Sequence, residues 1–357
     1  MGNRASKSES LYQQLREAYG QAAPGARLPT VRAIMKEYGV SQGSVDRALE
    51  RLIGQGIVEA RPREGLFAAA PATGNKIRVD LFLSNHPSHT VDWFRQSLLA
   101  GFAESEFTVV IHYYRYDRPL SQIGRDPDRE IAMVWPNQAT LSSEDIAFLG
   151  GMARHVIMLN LPTHSLSLDS LCGDDDLGGC MAAKHLIDLG HRRLAMLVTS
   201  LTDHPTILAR TAGFLKMARL MDVPAEVIQA GTRWGDNGTA KAHAALRARL
   251  RAGRPDFTGL FVDTDWNING VYKALQENGL SVPRDISVIS HDGIPDGEFF
   301  SPPITTIHQD QKQWAQEAVR LLRRRLTAPA TGRPPTAIHA YVPPDLLVRA
   351  STAAPPG

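Results

Sequence analysis

Between Gly25 and Phe67, helix starts and stops follow one another so closely that few folds stay open to the chain: GARLPTVRAIMKEYGVSQGSVDRALERLIGQGIVEARPREGLF. Pro29-Thr30 opens a helix, with Thr30 as its N-cap. Val31, Ile34, Met35 and Tyr38 form the buried side, and Gly39 suits the left-handed position that ends it. Ser41 caps a third helix over 42–54, with Val45, Ala48, Leu49 and Leu52 facing inward and Gly54 and Gly56 closing it. Residues 57–60 and 66–68 then read as two strands of a hairpin, joined through Arg61, Arg63 and Gly65. Upstream, Leu11, Leu15 and Ala18 share one helical face, with Tyr12 and Tyr19 beside them. That first helix ends between Gly20 and Gly25, and residues 1–8 read as a frayed tail. Three helices and a hairpin predict a winged helix-turn-helix over residues 1–69.

A small, Pro/Gly-containing linker follows at 70–76. The pattern then changes to alternating strands and helices. Strands are expected at 79–83, 108–113, 131–135, 155–160, 194–198, 257–262, 286–291 and 337–342. Helices are expected at 93–105, 177–189, 207–221, 240–251, 268–277 and 314–326. Such alternation predicts parallel sheets with flanking helices. Its length predicts two α/β lobes over 77–350, one from about 77–172 and 292–320 and the other from about 173–291 and 321–350. The end of the chain, through Pro355, Pro356 and Gly357, reads as a second frayed tail.

Composition sets limits on function. The 357 residues allow two or three domains, and a net charge of +2 neither demands nor excludes nucleic acid. The first 70 residues carry ten basic and seven acidic side chains. Two cysteines, Cys172 and Cys180, do not make a disulfide scaffold. The polar N-terminus has no apolar segment behind it, and no run of about 18 apolar residues occurs. A cytoplasmic location and no membrane partner are the expectation. HExxH, GxSxG, a phosphate-cradling Walker loop and a dinucleotide glycine fingerprint are all absent from the sequence. No cofactor, no metal site and no catalytic residue are expected. Asp174, Asp175 and Asp176 open a helix, which favours capping and dipole stabilisation over a metal.

A helix-turn-helix reads DNA with its second helix in the major groove. Here that helix begins Ser41-Gln42-Gly43-Ser44, where Gln can pair with adenine and the serines and helix N-terminus can hold phosphate. Arg47 falls on a different azimuth from the buried Val45 and Ala48. Arg27, Thr30, Arg32, Arg61, Arg63 and Gly65 complete the expected DNA contacts. The segment from about residue 9 to 69 resembles the head of the GntR family of bacterial repressors. Leu28-Pro29-Thr30-Val31-Arg32 matches its opening, Val40-Ser41-Gln42-Gly43-Ser44-Val45-Asp46 its recognition stretch, and Arg63-Glu64-Gly65-Leu66-Phe67 its wing. Gln42 and Asp46 stand where the family has arginine, which predicts an unusual operator or a head that leans on its wing.

Ligands in open α/β folds gather beyond the carboxyl ends of strands or between lobes. Residues following the expected strands are therefore candidates: Ser84, Asn85, His86, His89, Trp93 and Phe94; Asn137, His164 and Asp169; Thr202, His204 and Arg210; Trp234, Asp263, Asp265, Trp266 and Asp292. Aromatic rings with Asp and Arg suit a polyol or sugar, and equally a nucleoside. Residues 77–343 resemble the effector-binding domain of the LacI/GalR repressor family, itself similar to periplasmic sugar-binding proteins. DDDLGGCMAAKHLIDLGHRRLA at 174–195 carries the likeness most specifically, with Asp175 in place of the family's Asn. Arg210-Thr211-Ala212-Gly213-Phe214 matches an Arg-x-x-Gly-Phe motif, whose arginine the resemblance assigns to the effector. Asp265 falls on another effector position, and Asp292 keeps the first acid of an Asp-Asp pair while Gly293 loses the second. His89, Phe94 and Trp234 complete the expected effector set, Trp234 as a stacking platform. His191, Arg192 and Arg193 sit in a helix-to-strand turn and read as structural.

Together these resemblances imply a non-enzymatic, ligand-responsive transcriptional repressor. It would bind double-stranded operator DNA as a homodimer and take a sugar-like effector between its lobes. The layout is similar to the arabinose-responsive repressor type. Two other readings stay open on sequence alone. One is a carbohydrate- or nucleotide-processing enzyme with a DNA-binding appendage. The other is a winged helix used for protein contact.

Overall fold

The computed structural model describes residues 2–23, 25–54, 57–61, 64–69, 76–85, 89–126, 128–136, 141–163, 166–201, 203–233, 235–253, 255–328 and 336–356, with the backbone alone for residues 2–10, 50, 54 and 89. The chain divides into two compact units, one of residues 1–137 and 142–157 and the other of 138–141 and 158–357. Among the described residues no helix is long and apolar enough to cross a membrane.

The first unit opens with α1 (Gly2–Gly20), α2 (Val31–Tyr38), α3 (Gln42–Gly54) and the antiparallel hairpin β1 (Val58–Arg61) and β2 (Gly65–Ala68). This is the expected winged helix-turn-helix. Its core joins Leu11 and Leu15 of α1 to Ile34, Val45, Leu49, Leu52, Val58 and Leu66. Thr30 caps α2 by accepting from Ala33 N at 3.3 Å. Gly39, at φ +63, turns its N–H back to the Met35 carbonyl and frees the chain to change direction. Residues 1–8, expected to fray, instead belong to α1 from Gly2 onward. Polar sequence alone did not stop that helix, because no Pro or Gly interrupts it after Gly2.

The same unit continues with β3 (Ile77–Ser84), α4 (His89–Ala103), β4 (Phe107–Tyr114), β5 (Ile131–Val134), α5 (Ser143–Leu149) and β6 (His155–Leu159), the last of which spans the division between units. Its strands run in the order β6-β5-β3-β4, and β3 is parallel to both β4 and β5. The short α5 escaped the sequence reading. It is set by a reciprocal capping box between Ser142 and Asp145 rather than by a long apolar stripe.

The second unit holds β7 (Asp169–Gly173), α6 (Asp175–Asp188), β8 (Leu194–Val198), α7 (Pro205–Leu220), β9 (Ala225–Gln229), α8 (Gly238–Arg251), β10 (Gly259–Val262), α9 (Ile268–Glu277), β11 (Ser287–Asp292), β12 (Thr305–His308), α10 (Gln311–Leu326), β13 (His339–Val342) and β14 (Asp345–Leu347). One sheet runs β14-β12-β11-β10-β8-β9, parallel except for β14. β13 pairs in parallel with β7.

Those pairings correct the expected lobe boundaries. Residues 305–308, assigned with 77–172, add to the β8–β11 sheet, whereas β13, assigned with 173–291, lies beside β7. Short apolar runs announce a strand without naming the sheet it joins. The C-terminal segment is also more firmly held than expected. Ser351, wholly buried, donates to the Val288 carbonyl and accepts from Thr305 N, and Ala353 N donates to Ser287 Oγ.

Two helices of this unit approach closely. A Cβ on Gly179 of α6 would sit 2.0 Å from the Arg210 carbonyl oxygen, and one on Gly213 of α7 would sit 1.9 Å from that of Asp176. Backbone occupies the space on both sides, so neither glycine admits a side chain without parting the helices. Gly179→Ala should destabilise the chain at the top of the roughly 1–3 kcal/mol range for overpacking. Gly20→Ala, where nothing lies within 4 Å of the added carbon, should not; urea midpoints of the two variants compare them directly.

Candidate functional site

In the head, Ser41, Gln42, Gly43 and Arg47 are exposed along the start of α3, with Arg32 exposed on α2. Ser44 is turned inward at 8% exposure, 3.1 Å from Ser41 Oγ, so it braces Ser41 rather than facing solvent. The hydroxyl of Thr30 is taken by its capping bond. Arg27 bridges to Phe67 and donates to the Glu64 carbonyl at 3.0 Å, which lays it against the wing. Arg61 is bound to Glu59 by two hydrogen bonds of 3.1 and 3.0 Å, with its guanidinium 4.2 Å from the Phe67 ring centroid. Gly65, at φ +117, is in a region that favours glycine. Arg63 lies outside the described residues. The head thus offers the first turn of α3 and Arg32 as open groups, and holds Arg27 and Arg61 on the wing.

Of the expected effector residues in the first unit, Phe94 is a correction. It is 2% exposed and meets Trp135 edge-on with centroids 4.5 Å apart, so it is core. The helix that carries it, α4, begins at His89, earlier than the expected start at Trp93. His89 is the first residue of α4, and its side chain lies outside the described residues. His86, Asn137, His164, Thr202 and Trp234 lie outside them too. Asp169 does not follow a strand but begins β7, where it forms a buried ion pair with Arg325.

In the second unit the structure gathers Arg210, Asp265 and Asp292 near the carboxyl ends of β8, β10 and β11. Arg210, 6% exposed, donates from Nε and Nη2 to Asp175 Oδ1 at 3.1 and 2.6 Å, and from Nη1 to the Asp263 carbonyl. Burial opposes its charge, but Asp175, Asp292 and Asp263 together hold its pKa above the ordinary value. The Asp263 carboxylate in turn accepts from Thr199 N and Oγ1 and from Ser200 N, at 2.9, 2.6 and 2.9 Å. Burial, with Arg210 beside it, lowers the His291 pKa, and burial lowers that of His204, so both imidazoles are neutral near pH 7.

Asp265 and Asp292 play different parts. Asp265 is wholly buried and accepts from Ser290 Oγ, Gly293 N, Ile294 N and Thr306 Oγ1. It therefore shapes the turn after β11. Asp292, at φ +119, accepts from Thr264 Oγ1 at 2.6 Å and keeps its side chain 14% exposed. The lost second acid also has a local reason. A Cβ at Gly293, φ +77, would fall 2.1 Å from His308 Nδ1. Asp175, Asp263, Thr199, His291 and Thr306 complete the cluster. Of these, Asp263 was a candidate for following a strand and Asp175 stood out by departing from the family's Asn, whereas Thr199, His291 and Thr306 were missed.

His191 is fully buried between Thr258 Oγ1 and the Ala353 carbonyl, as a structural residue should be. Asp174 caps α6 through Leu177 N at 3.0 Å, and Asp176 pairs with Lys216. Among the described residues no cluster of His, Cys, Asp and Glu has the makings of a metal site.

Comparison with known proteins agrees with this division. Residues 7–67 match the model of bacterial regulatory proteins of the gntR family, and residues 183–352 match a periplasmic binding protein-like domain. The chain is 33% identical over 176 residues to an HTH-type transcriptional repressor PurR of Mannheimia succiniciproducens, covering 49% of this chain and 50% of that protein. It is 31% identical over 181 residues to a repressor of the same name from Haemophilus influenzae, again covering 49% of this chain and 50% of the relative. The chain thus spans about half the length of the curated relatives it matches. Among solved structures, a LacI family regulator from Enterococcus faecium with bound ribose superposes with TM-score 0.61 at 21% identity, covering 78% of this chain and 99% of that one. The lac repressor dimer bound to operator and the anti-inducer ONPF does so with TM-score 0.62 at 20% identity, covering 79% and 96%. These likenesses show the fold: a two-lobed periplasmic-binding-protein-like α/β body, preceded by a winged helix-turn-helix.

Two outcomes follow from the buried charges. Arg210→Met leaves Asp175 uncompensated and should cost about 3–5 kcal/mol of stability, much of it restored by adding Asp175→Leu, as read by denaturant unfolding. Burial and the neighbouring Asp292 push the Asp265 carboxyl up to about 7, against the pull of Ser290, Ile294 and Thr306. An unfolded Asp titrates near ~3.9. Between about pH 4 and 7 this group therefore binds more protons folded than unfolded, and it weakens the fold as pH rises through that window. Wild type should lose stability across that window relative to Asp265→Asn; equal pH slopes for the two would contradict the assignment.

Proposed function

We propose that the chain is a ligand-responsive bacterial transcriptional repressor, binding operator DNA through its winged helix and a small sugar-like effector at the carboxyl ends of β8, β10 and β11. The observation that carries this reading is the joining, in one chain, of a winged helix-turn-helix with an open first turn on α3 to a binding-protein body with a buried arginine–aspartate cluster. The curated relatives bear the name of a transcriptional repressor, and several similar structures hold ribose, glucose or sucrose. The gntR match supports a GntR-type head, and the layout is then that of the arabinose-responsive repressor type.

In this reading, Gln42 and Arg47 face base edges and phosphates, while Arg32 and the N-terminal turn of α3 hold the backbone. Arg27 and Arg61 act from the wing, held by Glu64 and Glu59. Arg210 and Asp292 present charge to effector hydroxyls, and Asp265 holds the turn that positions Asp292. Two copies of the chain would place two heads on a near-palindromic operator. The work of the body is binding, not turnover, and needs no cofactor.

Selection from a random duplex pool with the full chain should enrich one sequence. Arg32→Ala should weaken binding to it and to unrelated DNA alike, and reduce the salt slope by about 1. Gln42→Ala should lower the preference for the selected sequence more than it lowers non-specific binding. Failure to enrich any duplex at low salt would favour a protein-contact role for the head.

A further inference from the structure

Among its described residues, the connection from β4 to β5 forms no α-helix of the kind such a crossover ordinarily lays over the sheet. Among its described residues it forms only a short 3-10 turn at Leu120–Ile123. β4 is an edge strand, and five of its eight residues are only half-buried, whereas the inner β3 has six buried residues of eight. Within the first unit, the head closes over the space this leaves. Arg51 and Ile53 of α3 and Ala60 of β1 line a cavity of about 540 Å³ together with Phe82, His112 and Arg129. That volume is within the roughly 300–1,000 Å³ of small-molecule sites.

The lining chemistry is specific. Phe82 and His112 stack with centroids 4.7 Å apart, and the Arg129 guanidinium lies 4.9 Å from the Phe82 centroid. The Arg129 side chain is only 8% exposed, with Asp80 Oδ2 3.6 Å from its Nε. That Nε has no hydrogen-bond partner, although Nη1 donates to the Met152 carbonyl at 2.9 Å. Asp80 is already bound by Arg78 at 2.7 Å and His112 at 2.6 Å, so one buried carboxylate serves three basic side chains. Arg115, also on the cavity wall, pairs with Asp117 only at the surface, where such pairs exchange readily. A buried donor left without an acceptor costs free energy that an incoming anion recovers.

We infer that this cavity is a second ligand site, which takes a small planar anion, an aromatic ring bearing a carboxylate or phosphate, and fastens the head to the first α/β layer. The ring meets aromatic walls and the acid group meets Arg129 and Arg51. Because the walls come from both the head and the layer, an occupant stabilises their contact and withdraws conformational freedom from α3. This site is separate from the Arg210 cluster and does not depend on what binds there.

Hydrogen exchange and calorimetry on the full chain test it, with salicylate as the carboxylate probe, AMP as the phosphate probe, and salicylamide and adenosine as uncharged counterparts. At least one anion should bind and slow exchange in residues 51–60 and 112–126, with its uncharged counterpart at least tenfold weaker. Ala60→Trp, which fills the cavity from the head side, and Arg129→Gln should each weaken binding at least tenfold while the unfolding midpoint shows both variants folded. Absence of protection with both anions at millimolar concentration, or undiminished affinity in the folded Ala60→Trp variant, overturns the proposal. Ribose and glucose, read by protection of residues 199–210 and 263–293, report on the Arg210 cluster separately, so failure at one site is distinguishable from failure at the other.

Discussion

The close approach of α6 and α7 is the constraint on which the second unit depends. Gly179 and Gly213 let the two backbones meet at distances no side chain permits. That contact delivers Arg210 on α7 to Asp175 at the start of α6. Neither charge would tolerate burial alone, and each is stable because the other is hydrogen-bonded to it. The Asp263 carbonyl then ties the pair to the end of β10, and the Asp263 carboxylate ties that end to the residues following β8. A glycine contact between two helices thus sets the chemistry at the carboxyl ends of the sheet.

The cluster also separates charge that supports the fold from charge that faces outward. Asp265 uses both oxygens internally, on the turn containing Gly293 and Ile294. Asp292 retains some exposure beside it. Two acids near one another on successive strands are therefore unequal, one shaping backbone and the other presented by it. The head shows the same division. Arg61 and Arg27 are spent on the wing, while Gln42, Arg47 and Arg32 stay open.

Much of this was legible because the chain marks its own boundaries. Thr30 and Gly39 named the ends of α2 through capping chemistry, and β8 and α9 stand where periodicity put them. The elements that escaped are short or carried by tertiary contact. β7 is polar at its start because Asp169 is neutralised by Arg325, more than 150 positions away, which no local pattern reveals. Strand β12 was placed with 77–172 but pairs with β11, since a short apolar run does not encode partnership. Phe94 was drawn toward a ligand role by lying near the end of β3, and only its contact with Trp135 shows it to be core. That Arg210 lies near the carboxyl ends of the strands was readable; that its partner is Asp175, and that Asp265 accepts from backbone amides, was not.

The central claim is that one chain couples ligand to DNA. Fluorescence anisotropy of the full chain with its selected duplex, titrated with and without each sugar that binds, measures that coupling directly. The account predicts a sugar that changes DNA affinity at least about fivefold, the low end of typical allosteric coupling, and that loses this effect when Arg210 is replaced in a variant shown to fold. A sugar that binds at the Arg210 cluster with DNA affinity unchanged, for every sugar that binds, would contradict it.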